Sequence, residues 1–169
     1  MIRRLAPLLI SAAVFIADRL SKLWIEAHID LYSSFSVIPG FFDIVHTKNP
    51  GAAFGMFADS SHPLRTFLLI GVSIVVLIFV SYALLRPGKS GFHGSAATIA
   101  GLALVLGGAL GNIYDRVLFG EVTDFLEFYH GDWRFAAFNV ADSAICIGAG
   151  LLILDMWINR KHQHVPEAN

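Results

Sequence analysis

Residues 95–116 read SAATIAGLALVLGGALGNIYDR, a long apolar run that ends in an amide and two charged side chains. The apolar part, residues 95–113, approaches the ~20 residues that an α-helix needs to cross the hydrocarbon core of a membrane. Gly107, Gly108 and Gly111 recur at spacings that permit close helix contact in lipid. The stretch therefore predicts a membrane-spanning helix that packs tightly against a neighbour and carries polar groups at one end.

Three further apolar stretches have a similar length, at residues 5–25, 67–85 and 138–158. The chain has 169 residues, of which 56% are hydrophobic and 15% charged, and its mean hydropathy is +0.65. These values are typical of a membrane protein and predict one domain, residues 1–169. No small-residue cleavage site follows the first stretch, so we expect a retained anchor helix and not a cleaved secretory signal. The fourth stretch also carries small residues, which predicts that the third and fourth spans pack together.

The composition argues against several kinds of partner. The formal net charge is -1 and no run of Lys or Arg provides a basic surface, so we expect no nucleic acid. Cys146 is the single cysteine, and we expect it to pack as a small hydrophobic side chain. No HExxH motif occurs. The spacings of the histidines in the loops indicate no metal site either, and these histidines are His28, His46, His62, His93 and His130. We therefore expect no metal and no cofactor.

The distribution of basic residues predicts the orientation. Lys and Arg are dense in three short segments of the chain. In two longer loops, Lys and Arg are more widely spaced. By the positive-inside rule, both termini lie in the cytoplasm and the two longer loops lie in the periplasm.

The two longer loops have different patterns. The first alternates apolar and polar residues around Pro39-Gly40, which predicts a short β-hairpin, and it continues with small residues at 49–55 that suit the lining of a groove. The second mixes aromatic and charged residues at 125–135, a composition typical of the membrane surface. The predicted fold is an all-α membrane protein with four transmembrane helices, a small periplasmic β-hairpin or cradle, and an interfacial periplasmic helix or loop.

This topology brings the polar residues of the spans to one face of the membrane. They lie at the ends of the first and third spans and in the first turns of the fourth: Asp18, Lys22, Asn112, Asp115, Arg116, Asn139 and Asp142. Charged groups at this depth are unfavourable unless they are paired or face a wet cavity. The cluster is therefore a functional-site hypothesis.

Several of these residues also have a purely structural explanation. For Asp18 and Lys22, four residues apart, we prefer an ion pair that holds the end of the first helix. For Asp115 and Arg116, which are adjacent at a helix end, a role as an interfacial anchor or in a salt bridge fits as well as a substrate contact. Asp155, near the other end of the fourth span, is expected to be structural.

Asp142 is harder to explain in this way, because it has no basic residue one helical turn away and needs a partner from elsewhere. Asp124, in the string VTDFL at residues 122–126, is the other acid among apolar neighbours. Two such carboxylates brought together would share a proton, as the acid and base of an aspartic peptidase do. Ser143 lacks the glycine pattern of a nucleophile elbow, so the sequence supports a serine peptidase mechanism less well than an aspartic one.

Five strings in this order resemble the motifs of bacterial lipoprotein signal peptidase, also called signal peptidase II. They are DRLSK at 18–22, NPGAAF at 49–54, GGALGNIYDR at 107–116, VTDF at 122–125 and FNVADSA at 138–144. The resemblance covers all four predicted helices and both longer loops. Five strings in this order are specific evidence for the family, whereas any single string would be weak evidence. Pro50 and Thr123 depart from the family pattern, and Pro50 removes a backbone donor.

The resemblance implies an aspartic endopeptidase with Asp124 and Asp142 as its catalytic dyad and no cofactor. It implies that nine further residues shape or support the site: Asp18, Lys22, Asn49, Gly51, Asn112, Asp115, Arg116, Asn139 and Ala141. The implied substrate is a prolipoprotein whose lipobox Cys already carries diacylglycerol, and it is cleaved just before that Cys. Membrane lipid and globomycin-like cyclic peptides are the other implied partners. The implied location is the bacterial inner membrane, with the site near the periplasmic face.

Two other functions compete with a peptidase. A small transporter or proton-conducting channel would use intramembrane acids as a proton relay. However, the sequence shows no inverted repeat or paired broken helices, and its acids gather at one membrane face. A non-catalytic membrane scaffold would leave the placement of Asp142 in an apolar span unexplained.

Overall fold

The computed structural model describes residues 2–51, 62–86 and 94–160. In chain order these residues form α1 (Ile2–His28), β1 (Ser34–Ile38), β2 (Phe42–Asn49), α2 (His62–Leu85), α3 (Ala96–Phe119), β3 (Val122–His130), β4 (Trp133–Arg134) and α4 (Val140–Arg160). A helix lies at each of the four predicted spans, but α3 continues beyond the predicted end at residue 113, and α4 begins at Val140, two residues after the predicted start at 138. Residues 52–55 of the small-residue segment lie outside the described residues.

Three helices of the described chain are long and apolar enough to cross a membrane: Phe67–Leu85, Ala96–Phe119 and Val140–Asn159. The first of them is strongly exposed, with Phe67 at 80% and Leu85 at 79% of their accessible surface, as a helix surrounded by lipid would be. The chain is therefore a membrane protein. The helix α1 does not meet the same criterion, because Asp18, Arg19 and Lys22 add charges to its apolar sequence. A fourth span through α1 stays a prediction.

The helix α3 packs against the three other helices and occupies the centre of the bundle. A Cβ atom at Gly101 would lie 2.8 Å from the carbonyl oxygen of Gly148, and one at Gly148 would lie 2.6 Å from that of Gly101. Larger residues at these positions would therefore push the helices apart. The prediction that small residues bring the third and fourth spans together is confirmed, and this close contact positions the candidate site.

Polar contacts hold the end of this helix pair that is remote from the candidate site. Ser95 caps α3, because its Oγ accepts a hydrogen bond from the Thr98 N–H at 3.0 Å. The Asp155 carboxylate of α4 accepts hydrogen bonds from the Ser95 hydroxyl at 2.6 Å and the Thr98 hydroxyl at 2.7 Å. These bonds support the structural role predicted for Asp155.

The four strands form one antiparallel series in the order β1-β2-β3-β4. The hairpin predicted around Pro39-Gly40 is confirmed, and Gly40 has a φ of +80°, which favours glycine. Residues 125–135, for which an interfacial helix or loop was predicted, instead lie mainly in β3 and β4. The all-α description is therefore too narrow, because pairing with β2 draws this segment into a sheet.

Candidate active site

The strand β3 brings Asp124 next to the start of α4. Phe138, two residues before α4, pairs with Leu126 of β3: the Leu126 N–H donates to the Phe138 carbonyl at 2.8 Å, and the Phe138 N–H donates back at 3.0 Å. Because Leu126 and Asp124 are two residues apart on one strand, this pairing places the residues that follow Phe138 beside Asp124.

On its other side, Asp124 faces the end of β2. The Asn49 side-chain amide donates a hydrogen bond to Asp124 Oδ2 at 2.9 Å. The orientation of that amide is held by Gly51, whose N–H donates to Asn49 Oδ1 at 2.8 Å. Gly51 has a φ of +108°, a conformation that other residues rarely adopt. Position 51 therefore favours glycine, because this backbone conformation lets the Gly51 N–H orient the Asn49 amide towards Asp124.

Asp142 is placed by the local sequence at the start of α4. The Asp142 N–H donates to Asn139 Oδ1 at 2.9 Å, and the Asn139 N–H donates to Asp142 Oδ2 at 3.3 Å. This reciprocal arrangement is that of a capping box, in which a carboxylate also gains from the positive end of the helix dipole. Asp142 is thus held in the first turn, and it is partly buried.

Two asparagine amides connect the carboxylates. Asn139 Nδ2 donates to Asp124 Oδ1 at 2.7 Å, and Asn112 Nδ2 of α3 donates to Asp142 Oδ1 at 2.7 Å. The Asn112 Oδ1 atom accepts from Asn139 Nδ2 at 3.2 Å, which links the two amides. The two acids therefore belong to one hydrogen-bond network built from β3, α3 and α4.

The environment of Asp124 favours its protonated form. Burial, and next the negative charge of Asp142, raise the pKa of Asp124 to about 7, although the amides of Asn49 and Asn139 favour the ionised form. Asp124 is only 2% exposed. Asp124 therefore holds its proton to a higher pH than a solvated carboxyl does.

Both carboxylates line a cavity of about 660 Å³. Asn49 and Arg116 add polar groups to its lining, and an aromatic wall completes it: Phe128, Trp133, Phe135 and Phe138. The cavity therefore combines a polar end that can hold water and a peptide bond with an apolar wall that can bind hydrophobic side chains.

Two other reactive side chains line this cavity. The Ser143 hydroxyl donates to the Asn139 carbonyl oxygen at 2.9 Å, as helical serines commonly do, and is not activated by a base in this bond. Cys146 is exposed and lies on the cavity wall. It was expected only to pack as a small hydrophobic side chain, but it lies one turn after Asp142 on the same face of α4 and therefore adds a thiol to the cavity lining.

Arg116 lines the cavity with a guanidinium that is only weakly engaged. Its Nη1 lies 3.5 Å from the Asn112 carbonyl oxygen. Within the part of the chain that the structure describes, the buried Nε of Arg116 has no hydrogen-bond partner. The group is therefore available to an acceptor that enters the cavity.

A buried ion network supports the site from α1. Lys22 Nζ lies 2.7 Å from Asp18 Oδ2 and 2.7 Å from Asp115 Oδ2, and these three side chains are at most 2% exposed. The Asp18–Lys22 ion pair predicted from the spacing is confirmed. Asp18 Oδ1 also accepts from the Ala141 N–H at 3.0 Å, which satisfies an otherwise unpaired donor in the first turn of α4. The network therefore joins α1 to both α3 and α4.

The salt-bridge role suggested for Asp115 is confirmed, but its partner is not the adjacent Arg116. Asp115 instead pairs with Lys22 and with Arg19 of α1. Adjacent residues on a helix point about 100° apart, so Asp115 faces α1 while Arg116 faces the cavity. Asp115 is consequently buried and is not a solvated interfacial charge.

Arg19 is a member of this network that the sequence analysis did not single out. Its guanidinium pairs with Asp115 and lies 4.8 Å from the ring centroid of Tyr114, in a cation–π contact. The available signal was its spacing of three residues from Lys22, which places both cations on one face of α1.

Comparisons with known proteins agree with one another. A family model described as signal peptidase (SPase) II matches residues 10–158. The chain is 45% identical over 151 residues to a lipoprotein signal peptidase of Geobacter sulfurreducens, covering 89% of this chain and 90% of that protein. It is 42% identical over 147 residues to one of Solibacter usitatus, covering 87% of each. A solved structure of a bacterial membrane enzyme matches with a TM-score of 0.80 at 30% identity, over 97% of this chain and 94% of that chain.

Proposed function

The chain belongs to the signal peptidase II family and removes signal peptides from prolipoproteins, and we propose that it does so as an aspartic endopeptidase. Asp124 and Asp142 are the proposed catalytic dyad. The observation that carries this proposal is that both carboxylates line one cavity and are joined through Asn139.

In the proposed mechanism, water is the nucleophile. Ionised Asp142 takes a proton from a water molecule as the water oxygen attacks the scissile carbonyl carbon, while protonated Asp124 donates its proton to the carbonyl oxygen. Asp142 then gives its proton to the leaving amine as the C–N bond breaks, and Asp124 recovers a proton from the tetrahedral intermediate. The raised pKa of Asp124 supports this division of roles, because a large fraction of that carboxyl remains protonated as the pH approaches neutrality.

The other predicted site residues have supporting roles in this proposal. Asn49, oriented by Gly51, and Asn139 hold the Asp124 carboxyl, and Asn112 holds that of Asp142. Arg116, with its unpaired Nε within the described residues, binds a carbonyl oxygen of the substrate peptide. The remaining four residues hold α1 against α3 and α4: Asp18, Lys22, Asp115 and Ala141.

The proposed substrate is a prolipoprotein that carries diacylglycerol on its lipobox Cys and is cleaved just before that Cys. The aromatic wall of the cavity suits the apolar residues of a signal peptide, and the lipid chains remain in the bilayer. Globomycin-like cyclic peptides compete for the same cavity. The chain forms a single domain of four spans in the bacterial inner membrane, with cytoplasmic termini and the site near the periplasmic face.

A proton relay across the bilayer has less support. Asp142 and Asp155 lie thirteen positions apart on α4, which corresponds to about 20 Å along the helix axis. Asp155 is bonded to Ser95 and Thr98 at the other end of the helix pair. Asp124 is linked to Asp142 through Asn139, and Asp18 and Asp115 pair with Lys22 beside them. The remaining buried acid of the described residues, Asp43, lies in β2 near Arg134 and not on a helix.

The pH dependence of cleavage tests the shared proton. With a lipid-modified prolipoprotein in single turnover, we expect the rate to fall as pH rises through about 7, because Asp124 loses its proton there. The rate should also fall at acidic pH, where the base becomes protonated. A rate that stays flat between about pH 5 and pH 9, with chemistry shown to limit it, would contradict the proposal.

Cys146 provides a test of the site's orientation and water access. A charged, membrane-impermeant methanethiosulfonate added to the periplasmic side should label Cys146 and block cleavage, because this thiol lines the cavity. The matched control is Cys146→Ala, which should remain active and insensitive. Labelling confined to inside-out vesicles would overturn the proposed orientation.

A further inference from the structure

Three side chains from separate elements form a closed polar triangle beside the dyad. Lys48 Nζ of β2 donates to Glu26 Oε1 of α1 at 2.6 Å and to Thr123 Oγ1 of β3 at 2.8 Å. The Thr123 hydroxyl donates to the same Glu26 oxygen at 2.6 Å. We name Glu26, Lys48 and Thr123 the register lock.

The register lock lies on the face of the sheet opposite to the Asn49–Asp124 hydrogen bond. Lys48 is paired with Thr123 across the two strands, and Asn49 and Asp124 are the next residues along each strand. Successive side chains of a strand point to opposite faces. The lock therefore holds the backbone from behind, at the point where the front face carries the proposed catalytic acid.

A β-bulge precedes this point and explains why the register needs holding. The pairing changes between Ile44–Leu126 and Thr47–Asp124, so that Val45 and His46 stand opposite one residue of β3. The bulge interrupts the ladder that begins at the hairpin. A slip of one residue beyond it would exchange the two faces and turn Lys48, in place of Asn49, towards Asp124.

The members of the lock act through Asp124 and not on the substrate. Among the described residues, those that line the cavity include none of the three. Thr123 is 3% exposed and adjoins Asp124 in the chain, whereas Glu26 and Lys48 are partly exposed, at 31% and 21%. Their contacts join α1, β2 and β3, the elements that meet behind the dyad.

We propose that the register lock sets the pairing of β2 with β3 so that Asn49 is aimed at Asp124, which makes Glu26, Lys48 and Thr123 positioning residues of the dyad. This inference rests on the proposed function, because it assigns the lock its effect through Asp124. If the register lock only held α1 against the sheet, its loss would change the stability of the protein without changing the reactivity of the Asp124 carboxyl.

Thr123→Val is the direct test, because it removes the hydroxyl that bonds both partners and keeps the branched shape that suits a strand. We expect kcat to fall about three- to tenfold, as for the loss of one oriented hydrogen bond, with KM little changed. Thr123→Ser, which retains the hydroxyl, should restore the rate. Glu26→Gln weakens the hydrogen bonds that α1 contributes to the register lock and leaves Lys48 and Thr123 unchanged. It should therefore also lower kcat.

The alkaline limb of the pH profile distinguishes positioning from stability. The Asn49 amide favours the ionised form of Asp124, so a misaimed Asn49 raises the pKa of Asp124 and moves the limb to higher pH. The other charged groups around Asp124 are Asp142 of α4, Arg116 of α3 and Lys22 of α1, and Thr123→Val leaves all three in place.

A double-mutant cycle with Asn49→Ala completes the test. If the lock acts through Asn49, Thr123→Val should move the limb in the wild-type background and add no further shift in the Asn49→Ala background. Glu127→Gln, which removes an ion pair with Arg134 elsewhere in the sheet, is the matched control and should leave the limb in place. A Thr123→Val enzyme that unfolds at lower temperature but keeps the wild-type kcat and limb would overturn the inference.

The same assay separates this inference from the proposed function. Asp124→Asn is measured beside the lock variants. Cleavage by Asp124→Asn would mean that the proposed dyad is wrong, whereas an inactive Asp124→Asn together with a fully active Thr123→Val would mean that the lock alone is wrong.

Discussion

Asp124→Asn and Asp142→Asn should each abolish cleavage while leaving the protein folded. Asparagine keeps the shape of the side chain but cannot exchange the proton that the acid and the base pass to the substrate. We expect single-turnover rates to fall by at least about 10²–10⁴-fold, the usual contribution of a positioned acid or base. Binding of a globomycin-like inhibitor, followed in parallel, should persist in a weakened form, because the cavity wall and Arg116 are unchanged.

Asp115→Asn is the control for these variants, because Asp115 is a carboxyl in the same region that is as buried as Asp124. Its partners are Lys22 and Arg19 of α1, and its side chain faces away from the cavity. We expect it to lower stability and to keep measurable turnover. Robust cleavage by Asp124→Asn or Asp142→Asn would refute the dyad, and a complete loss confined to Asp115→Asn would identify a different partner for Asp142.

Lys22→Met should produce the largest loss of stability among the supporting residues. Lys22 is fully buried and neutralises two carboxylates, Asp18 and Asp115. Methionine preserves the length of the side chain but leaves Asp18 without its cation and Asp115 with Arg19 alone, in a medium of low dielectric constant. Breaking a buried ion pair by removing one partner typically costs about 3–5 kcal/mol of unfolding free energy.

Thermal unfolding of the purified protein in detergent measures this loss. Arg134→Gln is the control, because the Arg134 side chain is 54% exposed, whereas Lys22 is fully buried, so its loss should cost less than the loss of Lys22. We expect Lys22→Met to unfold well below both wild type and the control. Equal unfolding temperatures for Lys22→Met and Arg134→Gln would show that the network does not hold α1 to the bundle.

Local features of this protein could be predicted from the sequence because their causes lie within a few residues. The Asp18–Lys22 pair follows from a spacing of four on a helix, and the hairpin follows from a turn between alternating segments. The helices at the four apolar stretches follow from length and hydropathy. Convergence of the polar residues also followed from the sequence, because antiparallel spans bring alternate helix ends to one side.

Other features depend on residues far apart in the chain. Asn49 and Asp124 are separated by 75 positions, and Asp18 and Ala141 by 123. Composition suggested an interfacial helix or loop at residues 125–135, but pairing with β2 made a strand of it, because strand propensity depends on the neighbouring strand. The direction in which each side chain points likewise decided that Arg116 and Cys146 face the cavity while Asp115 faces α1.

The sequence by itself therefore determined the helices, the hairpin and the set of acids from which a catalytic pair had to come, since periodicity, spacing and capping act within one or two turns. Only the tertiary structure decided which amide holds which carboxylate, which cation neutralises Asp115, and that Thr123 is tied to Glu26 and Lys48 behind the dyad. These contacts depend on the register beyond the β-bulge and on the close approach of α3 to α4. The register has no signature in any single stretch of the chain, and the small residues that predicted the contact of α3 with α4 do not specify which polar side chains meet there.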